Sequence, residues 1–231
     1  MALVMFEVAR NLRRVQERIR AAAERSGRDP QDVKLVVVTK TVSPERIREA
    51  IEAGATILGE NYVQEARRKI AELEYPVSWH FIGHLQTNKA KQALELFELI
   101  HSVDNLRVAR ELNRRAGRTR RVARVLLQVN LAGETTKSGL HPQEVIPLLR
   151  ELVGFPHLSI EGLMTLPPFT PDPEDVRVYF RALRKLRDSI FQEIGVPLRE
   201  LSMGMSHDFE VAVEEGATMV RVGTAIFGSR N

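Results

Sequence analysis

The sequence predicts an α/β protein, a single (β/α)8 TIM-type barrel with an extra N-terminal helix. Three observations carry that prediction. Eight short apolar runs alternate with segments of helical periodicity along 231 residues, the element order of a parallel barrel. The pieces AIEAGATILGE (50–60) and AVEEGATMVRVG (212–223) repeat one unit of helix, capping glycine, Ala-Thr and strand. The third observation is negative. An open doubly wound sheet normally carries a glycine-rich turn after its first strand, and VVVTKTVSPE contains no glycine. One domain is expected over 1–231, with an amphipathic helix at 1–27 and the barrel at 34–231.

The elements follow in order. Met5, Val8, Leu12, Val15 and Ile19 recur at helical spacing with Arg and Glu between them, and Gly27 and Pro30 end the pattern. Strands are expected at Leu35–Val38, Thr56–Leu58, Trp79–Ile82, Leu99–Val103, Val125–Val129, Ser159–Met164, Glu200–Ser202 and Met219–Val222. Helices are expected in SPERIREAIEAG, NYVQEARRKIAEL, TNKAKQALELF, HPQEVIPLLREL and DVRVYFRALRKLRDSIFQEIG. Ser43 before Pro44 reads as an N-cap with proline at the first helical position, and Gly54 and Gly216 stand where C-terminal caps belong.

Composition narrows the function classes. Hydrophobic residues at 43% and charged residues at 28% are the balance of a soluble globular chain. No apolar run approaches the ~18 residues of a spanning helix, so no membrane partner is expected. The N-terminal apolar segment is too short and too soon interrupted by charge for a signal peptide, which makes a cytoplasmic location the expectation. The absence of cysteine removes disulfides, thiol chemistry and Cys-type zinc sites. His80 and His84 flank a glycine at a strand end without an acid beside them, so no metal is expected either. The net charge of +4 raises nucleic-acid binding, and Arg107–Arg124 is the densest basic segment. Its Leu106, Ala109, Leu112 and Ala116 keep helical spacing and it has no aromatic residue for stacking, so its arginines read as a solvent face.

In barrels of this kind the chemistry sits where strands end and the following loops begin. KLVVVTKT therefore sets Lys40 at the mouth, after the first strand. A lysine there loses hydration, which disfavours its ammonium and brings the nucleophilic amine within reach. A structural ion pair fits that position equally well. SMGMSHD (202–208) and RVGTAIFGSR (221–230) follow the seventh and eighth strands. Gly204 and Gly223 permit close backbone approach, Ser202, Ser206 and Thr224 offer hydroxyls, and two helix N-termini are expected to point inward, the usual place for a phosphate. Arg221 alternates with Met219 and Gly223, so it faces the interior and needs a partner. His80 reads as a wall residue turned toward the mouth, and His141, His157 and His207 as surface or capping residues. The set suits a small phosphorylated carbonyl compound, either a sugar phosphate or pyridoxal phosphate.

The stretches VTKT, LGENYVQEA, WHFIGHLQTNK, SVDN, VNLAGETTKSGL, GLMTLPP and LSMGMSHDFEVAVEEGATMVRVGTAIFG run through nearly the whole chain. With them the sequence resembles the pyridoxal phosphate homeostasis proteins, which share the barrel of the alanine racemase N-terminal domain. The resemblance implies that Lys40 holds pyridoxal phosphate as a Schiff base and that Ser202, Ser206, Gly223 and Thr224 hold its phosphate. It implies also that Arg221 faces the pyridine nitrogen and that Asn61 lines the pocket. Family members often carry a second lysine two places after the first; here that residue is Val42, while Lys137 is present. An arginine at the ring nitrogen weakens the ring as an electron sink. With the sequence ending directly after the eighth strand, the β-domain from which such racemases draw an acid/base is expected to be absent. The expected protein is thus a non-catalytic, monomeric carrier that supplies pyridoxal phosphate to apoenzymes. An amino-acid racemase or a Schiff-base aldolase is the alternative.

Overall fold

The computed structural model of the chain describes residues 2–134 and 137–228, with residues 2–6 described by backbone alone, so the apolar contact expected of Met5 lies outside the described residues. All eight expected strands form: β1 Lys34–Val38, β2 Ile57–Glu60, β3 Ser78–Phe81, β4 Leu99–Val103, β5 Ala123–Val129, β6 Leu158–Thr165, β7 Glu200–Ser202 and β8 Met219–Val222. They pair in parallel in chain order, and β1 closes on β8 in a register running from Lys34 opposite Met219 to Val37 opposite Val222. β2 ends two residues later than its apolar run suggested. Gly59 and Glu60 extend it because Gly59 O accepts from Thr39 N (2.9 Å) and Glu60 O from Ile82 N (2.9 Å), bonds that only neighbouring strands supply.

Among the described residues seven helices join the strands: α2 Pro44–Glu52, α3 Val63–Leu73, α4 Ala90–Leu96, α5 Leu106–Arg118, α6 Pro142–Leu152, α7 Arg177–Ile194 and α8 Phe209–Glu214. α9, Thr224–Phe227, is a single turn, too short to cover the outer face of β8 and β1. The N-terminal α1, Ala2–Arg25, takes that place and packs on α2, α8 and α9. Val8, Leu12, Val15 and Ile19 are buried, and Asn11 Nδ2 donates to Ile226 O (3.1 Å). The extra helix predicted from periodicity thus does the work of an eighth outer helix. Two helices start later than expected, since short 3-10 turns at Thr87–Lys89 and Pro173–Val176 precede α4 and α7. On α5 the buried side is Val108, Ala109, Leu112 and Ala116, with Arg107, Arg110, Arg114 and Arg118 exposed, as the basic segment suggested.

Most of the apolar core lies between sheet and helices. Inside the barrel Val36, Leu99, Leu126, Met164 and Met219 form an apolar layer. With it are buried polar side chains, among them His80, His101, Ser202 and Arg221, and these bear on the site.

Candidate functional site: a lysine-bearing cavity at the barrel mouth

A cavity of about 800 Å3 opens at the C-terminal ends of the strands. Strand parity decides what faces it. Along β1 the inward side runs Val36, Val38 and then Lys40, and along β8 it runs Met219, Arg221 and then Gly223. Lys40, Asn61, Ser206, Arg221, Gly223 and Thr224 all line the one cavity, although they come from opposite ends of the sequence. Lys40 is half-buried there. A smaller recess of about 370 Å3, lined by Arg187, Phe191 and Leu198, lies beside the loop that enters β7, at the other end of the barrel.

The loop after β7 and the residues after β8 are tied together by Ser206. Its Oγ accepts from the backbone N–H of Gly223 and of Ala225, both at 3.2 Å. A hydroxyl that accepts twice keeps its proton to donate, so this corner presents a donor to an anion. Gly223 makes the approach possible: a Cβ there would lie 3.1 Å from Val38 O. Of the two helix N-termini expected to point inward, only the start of α9 lines the cavity; Asp208 and Phe209 at the start of α8 do not. Asp208 instead accepts from Met205 N at 2.6 Å, holding the β7 loop, and burial raises its pKa against that bond.

Arg221 is buried, donating from Nη1 to Ser202 Oγ (2.6 Å) and from Nη2 to the Thr165 carbonyl (2.9 Å). Desolvation lowers its pKa to about 10, with the charge of Asp208 acting the other way, so it stays a cation at neutral pH. Its hydrogen-bonded partners among the described residues are neutral. A buried guanidinium on a cavity wall with neutral partners suits a ligand that brings an acceptor.

Two expected wall residues lie elsewhere. His80 does not reach the mouth and Ser202 is not in the phosphate corner; both are buried inside the barrel. They belong to a chain in which Ser202 Oγ meets His101 Nδ1 (2.8 Å) and His101 Nε2 meets His80 Nδ1 (2.9 Å). Arginine has only donors, and among the described residues His101 Nδ1 is the acceptor in reach of the Ser202 hydroxyl proton, which assigns the direction of the chain. Ser202 accepts from Arg221 and donates to His101 Nδ1, and His101 Nε2–H donates to His80 Nδ1. Both rings are then neutral, in keeping with burial, which lowers His80 to about 4 and His101 in the same direction.

Sequence reasoning missed four residues of this region. His101 sits on the inward parity of LIHSV, a signal that alternation could have supplied. Arg46, on α2, lines the cavity with a buried Nε that has no hydrogen-bond partner among the described residues and its guanidinium 5.7 Å from the Phe227 ring centre. Phe169 reaches the cavity from the loop after β6, its ring 5.2 Å from that of His207. His207, read as a surface or capping residue, is exposed as expected and in addition lines the cavity and bonds the Pro171 carbonyl at 3.0 Å. His141 does cap α6, with Gln143 N on its Nδ1. Val42 lines the cavity, while Lys137 pairs with Glu134 at 2.5 Å and is not on its wall. Among the described residues no helix is long and apolar enough to cross a membrane, and no group of His, Asp and Glu could hold a metal ion.

Fold and cavity together define a (β/α)8 barrel protein whose mouth joins a lysine, a buried arginine and a corner built from Ser206, Gly223 and Thr224. Comparison with known proteins narrows this. The family model of the alanine racemase N-terminal domain matches residues 10–231. The pyridoxal phosphate homeostasis protein of Aquifex aeolicus is 50% identical, over 95% of this chain and 96% of that one, and that of Pseudomonas aeruginosa is 42% identical, over 98% and 97%. The structure of PipY from Synechococcus elongatus, solved with pyridoxal phosphate bound, is 40% identical, with a TM-score of 0.82 over 93% of this chain and all of that one. This chain belongs to the pyridoxal phosphate homeostasis protein family.

Proposed function

We propose that this barrel binds pyridoxal phosphate in its mouth cavity, carries it covalently on Lys40, and keeps it available for apoenzymes without turning over a substrate of its own. The observation that carries the reading is the convergence of Lys40, Arg221 and the Ser206–Gly223–Thr224 corner on one cavity, in a chain 40% identical to a protein solved with pyridoxal phosphate bound. The donor set fits the group. Ser206, Gly223 and Thr224 would hold its phosphate, Arg221 its ring nitrogen, and Asn61 the ring edge, while Arg46 adds a cation whose Nε lacks a hydrogen-bond partner among the described residues. When bound, pyridoxal phosphate supplies an aldehyde that condenses with a primary amine as water leaves, and a ring that accepts electron density. Arg221 bears on the second property. It remains charged at neutral pH and has no proton acceptor to offer, so it leaves the ring nitrogen unprotonated and the ring a poor electron sink. That supports a carrier over a racemase. Ser202 acts one step back, fixing the Nη1 of Arg221.

The reading is tested by the visible spectrum of the purified protein, followed by borohydride reduction and peptide mass mapping. A yellow protein whose reduced adduct lies on Lys40, and a colourless Lys40→Ala variant that still folds, are the expected results. An adduct that persists on another residue in Lys40→Ala would remove Lys40 from the role. Steady-state interconversion of D- and L-amino acids, or cleavage of a sugar phosphate, would overturn the carrier reading in favour of an enzyme.

A further inference from the structure

The segment Thr39-Lys40-Thr41 is held by a cluster of charges that the binding of a ligand does not itself require. Lys69 of α3 is buried and all three of its ammonium protons are used. They go to the Thr39 carbonyl (2.6 Å), to Glu60 Oε1 (2.7 Å) and to Glu65 Oε1 (2.7 Å). Glu65 Oε1 also accepts from the backbone N–H of Thr41 at 2.6 Å, and Thr39 Oγ1 donates to Glu60 Oε1 at 2.7 Å. The peptide groups on both sides of Lys40 are thus anchored to one helix through one ammonium. Thr41 is also at φ +62°, a left-handed conformation that a β-branched residue adopts at a cost.

A buried ion pair is a poor source of stability, because well-packed apolar residues generally serve as well or better. Glu60 emphasises the point: its Oε2 is buried without a hydrogen-bond partner among the described residues. What this cluster does that apolar packing could not is to bond the Thr39 carbonyl and the Thr41 amide in fixed directions. We infer that Glu65 and Lys69 are positioning residues for Lys40, holding Thr41 in its left-handed turn so that the lysine amine is presented to the cavity. This rests on the covalent role of Lys40 proposed above. Neither residue lines the cavity, so both act through the backbone. Reaction at a misdirected amine falls steeply with small displacements, whereas a phosphate corner on β7 and β8 is untouched by them.

The experiment separates binding from reaction. Wild type and Glu65→Ala are mixed with pyridoxal 5′-phosphate, quenched with borohydride over time, and the adduct on the Lys40 peptide is quantified. In parallel, the affinity of each for pyridoxine 5′-phosphate, which has no aldehyde, is measured. The expected result is unchanged pyridoxine 5′-phosphate affinity with adduct formation slowed by about tenfold or more. Thr41→Gly added to Glu65→Ala should recover most of the rate, because glycine takes a positive φ without penalty. Thr41 also lines the cavity, so Thr41→Pro, which fixes φ near −65°, is compared at saturating pyridoxal 5′-phosphate and should abolish the adduct there, which keeps the test open should Glu65→Ala fold poorly. Wild-type rates in Glu65→Ala or in Thr41→Pro would overturn the inference, as would the absence of rescue by glycine. A wild type that binds pyridoxine 5′-phosphate yet forms no Lys40 adduct would instead sink the covalent reading itself, and the inference with it.

Discussion

Lowering the pH from 7 to 4.5 is expected to destabilise this protein through the histidine pair inside its barrel. Burial lowers His80 from 6.5 to about 4 in the folded protein, and His101, buried more deeply, moves the same way. The unfolded chain protonates both near 6.5, so between pH 6.5 and 4 it binds more protons than the folded chain does. Stability is therefore fully kept above 6.5 and falls as the pH drops through that window. At about 1.4 kcal/mol per pH unit and proton, His80 alone removes about 3 kcal/mol by pH 4, a large part of the 5–15 kcal/mol that holds a typical fold. Glu60, whose pKa is raised by burial, works with the opposite sign at the acid end. The loss has a geometric cause as well: a protonated His101 would have to donate at Nδ1, leaving the Ser202 proton without an acceptor beside Arg221. The assay is urea unfolding followed by far-UV circular dichroism at pH 7, 6, 5 and 4.5, for wild type and for His80→Gln/His101→Gln. Everything but the pair cancels in the difference, and the wild-type slope should be steeper by about one to two protons, or about 1.4–2.8 kcal/mol per pH unit. Equal slopes, or a wild type that gains stability on acidification, would refute the reasoning.

Other consequences are as direct. Lys69→Met should lower stability by about 3–5 kcal/mol, read as a drop in the urea midpoint, since it strands the buried Glu60 carboxylate and frees Glu65. Gly223→Ala places a methyl 3.1 Å from Val38 O and 3.2 Å from Val38 Cβ; overpacking of about 1–3 kcal/mol and weaker pyridoxine 5′-phosphate binding by isothermal titration are expected. Arg46→Ala should weaken the same phosphate ligand by about 1.5–3 kcal/mol, the worth of a charge-assisted bond, with little change in melting temperature.

Much of this protein can be seen in its sequence because parity and periodicity are local. Two-residue alternation placed Arg221 with Met219 and Gly223, and position directly after the first strand placed Lys40 at the mouth, before any strand pairing was known. The 3.6-residue repeat of Val8, Leu12, Val15 and Ile19 foretold a helix outside the regular alternation. Turn chemistry at Gly54 and Gly216 was equally local, and both have positive φ. Depth along the barrel was not local. His80 and Ser202 were assigned to the mouth because they stand near strand ends, yet how far below the mouth a side chain lies depends on the stagger between strands. His80 stands level with Leu99, the first residue of β4, and that register is a property of the sheet.

Only the tertiary structure could bring His80, His101, Ser202 and Arg221, from four different strands, into one hydrogen-bonded chain. The same holds for Lys69, which looks like any helical surface lysine until α3 lies across the ends of β1 and β2 and turns it inward onto Glu60 and Thr39. Arg46, Phe169 and His207 join the cavity for the same reason, since loops over a barrel mouth meet according to closure and not according to sequence distance. The chain by itself determined which residues face inward and which types could react. Closure of β1 on β8 decided which of them meet, because hydrogen bonds, charges and sterics act through space over a few ångströms while sequence patterns report only on the strand or helix that bears them.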